Sequence, residues 1–133
     1  MPKTKPTFRI RTFGTYTQWD AKSRELPQAL ENTTRVTAVV DVEFGFILNV
    51  KSAKNEKLTF CIDHPQIKNA DGSIRPPFTG DVYVKSNDWN FFLGDTIWEP
   101  IHDKLGHWHL SVSWKGDVVA EKTFLILAPE SVG

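Results

Sequence analysis

The sequence predicts an all-β fold: a single antiparallel β-sandwich of seven or eight short strands. Three observations carry this expectation. Val, Ile, Thr, Phe, Trp and Tyr make up 47 of the 133 residues, against 16 for Ala and Leu together. β-Branched and aromatic side chains fit a pleated surface and lose χ1 freedom in a helix. Apolar residues recur at every second position in several segments, and no segment of useful length shows the 3.6-residue period of an amphipathic helix. Gly- and Pro-bearing turns separate these segments at the spacing of a sandwich or barrel.

Phe8 and Ile10 alternate with Arg9 and Arg11, which reads as a half-buried strand. Phe13 falls on the arginine side, and a bulge at Gly14 is the expected repair. Residues 18–34 are polar and contain Pro27, giving a long surface loop with room for one helical turn. Val36, Ala38, Val40, Val42, Phe44, Phe46, Leu48 and Val50 then occupy alternate positions. One strand of that length would span about 50 Å, about three times the usual strand. The run therefore reads as two elements, or as one strand that bends near residues 43–45 and passes between sheets. Residues 52–57 form a charged, mobile turn, so that 44–50 and 58–62 read as a hairpin.

Pro65, Asp71-Gly72, Pro76-Pro77 and Gly80 make residues 64–80 a stiffened connection. Val82 and Val84 restart a short strand. Trp89, Phe91, Phe92 and Leu93 form an irregular aromatic cluster closed by Gly94-Asp95, with a short extended piece over 96–99. From Gly106 the alternation is strict, with Trp108, Leu110, Val112 and Trp114 on one face and His107, His109, Ser111, Ser113 and Lys115 on the other. A three-residue Lys115-Gly116-Asp117 loop matches more apolar pairs than a two-residue one. It pairs Trp114 with Val118, Val112 with Ala120, Leu110 with Lys122 and Trp108 with Phe124.

A 15.2 kDa chain of this composition is expected to be one domain, 1–133, with an ordered core over about 8–128. Sixteen basic and sixteen acidic residues cancel, which argues against nucleic acid and acidic membrane surfaces as partners. The longest apolar run, Phe124 to Ala128, is far short of a membrane span. The first residues lack the apolar core of a secretory signal, and Cys61 is the only cysteine, so a cytoplasmic, reducing setting is expected.

The segments Phe13-Gly14-Thr15-Tyr16, Val42-Glu43-Phe44-Gly45-Phe46, His64-Pro65, Trp98-Glu99-Pro100, Gly106-His107-Trp108 and Gly116 through Ala120-Glu121-Lys122-Thr123-Phe124 resemble a bacterial family known only as domain of unknown function 3859. The closing hairpin is similar to the last hairpin of many immunoglobulin-like sandwich modules, so the resemblance implies that fold. The family carries no established activity, and no catalytic role comes with it.

Several residue sets suggest chemistry. Trp89, Phe91, Phe92 and Trp98 lie within ten residues and suit a platform for a sugar ring or a peptide groove, or else a plug for the open end of the core. His107 and His109 project from one side of a strand, a spacing that chelates zinc or copper if His102, Asp103, His64 or Asp63 completes the set. Otherwise they are a solvated pair. Asp41 and Glu43 share a face if 36–44 is one strand, roughly 7 Å apart, a glycosidase spacing that solvated carboxylates also adopt. Cys61 next to Asp63 and His64 reads as a half-buried inert thiol. Lys3, Lys5, Arg9 and Arg11 read as an exposed strand face. No nucleophile elbow, P-loop or dinucleotide fingerprint is present, so neither an enzyme nor a cofactor is expected. The expected function is a non-catalytic module that binds a protein partner or its own copy. A small-ligand or carbohydrate site using residues 86–100, and a metal site at His107 and His109, are the alternatives.

Overall fold

The computed structural model describes residues 5–17 and 26–129. Within them run nine strands: β1 (Thr7–Tyr16), β2 (Ala29–Glu31), β3 (Arg35–Thr37), β4 (Glu43–Lys51), β5 (Lys57–Asp63), β6 (Phe78–Tyr83), β7 (Asp88–Thr96), β8 (Gly106–Trp114) and β9 (Asp117–Leu127). One 3-10 turn, His102–Lys104, precedes β8. The strands form two sheets, one ordered β2-β1-β4-β7 and the other β3-β9-β8-β5-β6. We call them sheet A and sheet B. All ladders are antiparallel except β3 with β9.

The core lies between the sheets. Phe44, Phe46, Leu48 and Val50 of β4 meet Trp108, Leu110 and Val112 of β8 and Phe124 and Ile126 of β9. The Phe44 ring stands edge-on to Trp108 at 5.3 Å and lies 5.6 Å from Phe124. Trp108 is completely buried because its one donor is satisfied: Nε1–H donates to the Lys104 carbonyl at 2.8 Å. Each such buried side chain contributes about 1.5–3 kcal/mol.

The long alternating run resolves into two elements. β3 belongs to sheet B and β4 to sheet A, and the chain crosses between them over 38–42, with Asp41 at φ 74°. Alternation persists through the crossing because both strands send alternate side chains into one interior from opposite sides. For the same reason β4 and β5 are not a hairpin. Residues 52–56 carry the chain from sheet A to sheet B, with Ser52 and Asn55 at positive φ.

Three finer expectations are corrected. The register of β1 on β4 shifts between Ile10 and Thr12, not at Gly14, and this turns Phe13 inward opposite Phe46. Gly14 is needed for another reason: at φ 130° a Cβ there would collide with the Glu31 carbonyl of β2. In the last hairpin the pairs Val112/Ala120, Leu110/Lys122 and Trp108/Phe124 form, but Trp114 pairs with Asp117. The loop is the two residues Lys115 and Gly116, both at positive φ as a type I′ turn requires, and a bulge beyond Val112 absorbs the shift. The polar stretch 18–34 holds a strand, β2, in its second half; residues 18–25 lie outside the described residues, as does Lys3.

Candidate binding site

The aromatic segment is a regular strand. β7 pairs with β4 over all nine residues, with Val50 opposite Trp89, Leu48 opposite Phe91, Phe46 opposite Leu93 and Phe44 opposite Asp95. Trp89, Phe91, Leu93 and Asp95 therefore face inward. Three are apolar and the fourth, a carboxylate, lies where the core gives out.

Asp95 helps to line a concavity of about 430 Å³ with His64, Arg75, Phe78 and Trp98. The Thr96 backbone N–H donates to its Oδ1 at 2.8 Å. Burial pushes the Asp95 carboxyl above its ordinary value, and the Thr96 N–H, His64 and Arg75 offset part of the rise. Trp98 forms the wall. The Arg75 guanidinium stands 5.5 Å from its ring centroid and the Lys104 ammonium 4.3 Å. Lys104 is buried to 1% exposure, so its charge needs partners. It donates to the Pro100 carbonyl at 3.0 Å and lies 2.7 Å from Asp103 Oδ1, an ion pair by distance without hydrogen-bond alignment. The two ring nitrogens of His64 face the carbonyl oxygens of Pro65 and Pro76 at 2.7 and 3.0 Å, tying together the ends of that proline-bounded connection. The concavity thus offers a carboxylate acceptor, a guanidinium donor and an indole face. This set holds a polar group against an aromatic wall; it contains no nucleophile paired with a base.

A row of rings continues from it along the side where both sheets end. Phe78 of β6 lies 5.6 Å from Phe60 of β5, which lies 6.3 Å from Phe91 of β7, which stacks on Trp89 at 5.4 Å and 14°. The four aromatics expected to act together are therefore dispersed. Trp89 and Phe91 belong to this row. Phe92 points to the outer face of sheet A, buried with Tyr16 and Ile47. Trp98 stands at the concavity, 6.3 Å from Trp108.

His107 and His109 share the outer face of β8. His107 is exposed, and His109 Nε2 lies 3.2 Å from Glu121 Oε1. Among the described residues no group of three or more His, Cys, Asp or Glu side chains is placed to hold a metal. His102 sits in the 3-10 turn and His64 at the concavity, so neither joins the pair. Asp41 lies in the crossing, while Glu43 begins β4 and accepts a hydrogen bond from the Thr96 hydroxyl at 2.8 Å, so they do not share a strand face. The Cys61 thiol is half-buried, and desolvation, then the Asp63 charge, push its pKa up, which disfavours the thiolate. Arg9 and Arg11 are exposed on the outer face of sheet A, Arg11 reaching Asn90 at 3.3 Å.

Sequence reasoning passed over Phe60, Phe78, Arg75 and Asp95. Asp95 was open to discovery, since it continues the two-residue phase of Trp89, Phe91 and Leu93. Arg75 and Phe78 flank Pro76-Pro77 in a connection without periodicity, and no local signal places them.

Residues 4–126 match a family described as a domain of unknown function, DUF3859. The chain belongs to this family. A crystal structure of an immunoglobulin-like protein from Pseudomonas aeruginosa is similar with a TM-score of 0.74 at 20% identity, covering 94% of this chain and 98% of that one. At that identity the likeness shows the fold alone, which is immunoglobulin-like. A GH3 β-glucosidase from Bifidobacterium adolescentis matches 91% of this chain with 17% of its own, at 10% identity and a TM-score of 0.38, too low to carry an argument. No curated protein matches the sequence. No helix among the described residues is long and apolar enough to cross a membrane.

Proposed function

We propose that this DUF3859 chain is a non-catalytic bacterial interaction module that binds a protein partner or its own copy through the β6/β7 side of the sandwich. Phe78 supports this reading most. Its register, opposite the buried Ile62, points it inward, yet 60% of it is exposed. An exposed ring joined to a row of further aromatics is the kind of surface that marks an interaction site. The balanced charge favours a protein over nucleic acid or a membrane surface. The lone thiol suits a reducing compartment, so the cytoplasm is the proposed setting.

Panning a random short-peptide display library on the immobilised protein tests the reading. Peptides are expected to enrich on the wild type and not on Phe78→Glu, with the thermal midpoint of the variant nearly unchanged. No enrichment, or equal enrichment on the variant, would contradict it.

A second reading has its own observation. Trp98 walls a concavity of about 430 Å³ beside Asp95 and Arg75, which suits a small polar ligand or a sugar ring. A glycan array on wild type and Trp98→Leu decides it: binding that the variant loses supports the reading, and a silent array removes it.

A further inference from the structure

The two sheets are not the same width on the β6/β7 side. Sheet A stops at β7, while sheet B continues past β5 to β6. It is β5 that lies beneath β7, as the 6.3 Å approach of Phe60 to Phe91 shows. The inward face of β6 carries Phe78, Gly80 and Val82 opposite Ile62, Phe60 and Leu58; Val82 packs against the core, while Phe78 lies beyond the cover of the other layer. Phe60 lays its ring over Gly80, where a Cβ would come within 2.6 Å of it. The result is an apolar shelf one strand wide, about 4.8 Å in the hydrogen-bonding direction. At its back runs β7, whose nine residues pair with β4 on one side and, among the described residues, with no strand on the other. Such an edge presents unpaired N–H and C=O groups.

Building on the docking side proposed above, we infer that an extended segment of a partner protein adds to the free edge of β7 as a fifth strand of sheet A, with its inward side chains resting on the Phe78 shelf. A second copy of the chain does not fit there. Pairing β7 with its symmetry mate would drive the projecting β6 of each copy into β5 of the other, whereas a single strand from a partner meets no such obstacle. The β6 edge is less suited to addition, because Pro76 and Pro77 lead into it and Asp81 points outward from it.

The inward positions of β7 state what the segment carries. Residues opposite Trp89, Phe91 and Leu93 face rings and aliphatic groups and are apolar. The residue opposite Asp95 enters the concavity, where Asp95 Oδ2 receives no hydrogen bond among the described residues while Thr96 occupies Oδ1. A hydrogen-bond donor (Ser, Thr, Asn, Gln or Lys) is required there. An inward charge on an edge strand also repels strands that bring an apolar group to it, so Asp95 selects among partners as well as binding one. The recognised segment therefore reads apolar, any, apolar, any, apolar, any, donor, in one chain direction or the other.

The enriched display peptides are the probe, with amide hydrogen exchange of the full chain as the readout. The period-two pattern with a terminal donor is expected among them, and bound peptide is expected to slow alternate amides of β7 by roughly tenfold or more. Asp95→Leu is expected to remove the preference for the donor while leaving the apolar positions selected. Peptides that depend on Phe78 but lack the alternation, or that leave β7 exchange unchanged, would overturn strand addition while leaving the docking side intact. Absence of any Phe78-dependent peptide would remove the docking side and this inference together.

Discussion

The two open sides of the sandwich end differently. On one side β2 and β3, three residues each, cover only the ends of their neighbours, β2 pairing with Thr15 and Tyr16 of β1 and β3 running in a parallel ladder on Leu125, Ile126 and Leu127 of β9, so that among the described residues the rest of β1 and β9 pairs with no strand there. Leu30 and Val39 are exposed there, around a shallow concavity of about 470 Å³. On the other side β7 offers nine residues of edge and β6 six, and the longer layer leaves Phe78 uncovered. Each short strand breaks the line of that edge part-way along, whereas the β7 edge runs on unbroken from Asp88 to Thr96, the kind of edge that strand addition uses. The same fold thus ends one side in stepped edges and the other in one continuous edge.

The largest effect is expected at the core both sides share. Trp108→Ala should cost about 3–5 kcal/mol, because it removes a fully buried indole and leaves the Lys104 carbonyl without its donor. Urea unfolding measures it, and a loss under about 1 kcal/mol would mean that the two layers do not meet there. Next comes the charged end of the β6/β7 side. Lys104→Met should cost about 3 kcal/mol by stranding Asp103 and the Pro100 carbonyl, and adding Asp103→Asn should recover part of it in a double-mutant cycle. Strict additivity would show that the two groups do not interact. On the opposite side, Gly14→Ala forces a side chain into positive φ against the Glu31 carbonyl, a cost of about 1–3 kcal/mol. Its expected signature is loss of exchange protection in β2 with β7 unaffected, and a change in β7 would show that the two sides are coupled through the core.

The smallest effect is a pH dependence. Burial raises the folded-state pKa of Asp95, so its contribution to stability is complete below the unfolded value near 3.8 and is lost as pH rises through the folded value. Asp95→Asn should therefore melt above wild type at pH 7, with the gap closing as pH falls towards about 4. A gap that widens on acidification would mean that His64 and Arg75 outweigh desolvation.

Much of the layering was legible because alternation reports burial directly. Trp108, Leu110 and Val112 could be placed in the core from spacing alone. Pairing partners were not legible. Period two says which face of β4 and β5 is apolar but not that they belong to different layers, and Asp41, the residue that turns the chain across, carries no special signal. The bulge at Arg11 was misplaced because Gly14 looked like the permissive residue, when its lack of a Cβ serves the approach of β2. Of the candidate site, the tryptophans could be picked out by type, but the concavity joins residues from 64, 75 and 95 that only tertiary packing brings together.

Residue-resolved hydrogen exchange along β7 in the free protein tests the uneven-sided sandwich most directly. Alternate amides, those bonded to β4, should be strongly protected while the intervening ones, apart from Thr96 whose N–H donates to Asp95 Oδ1, exchange as freely as loop amides. Uniform protection from Asp88 to Thr96 would mean that the edge is already covered.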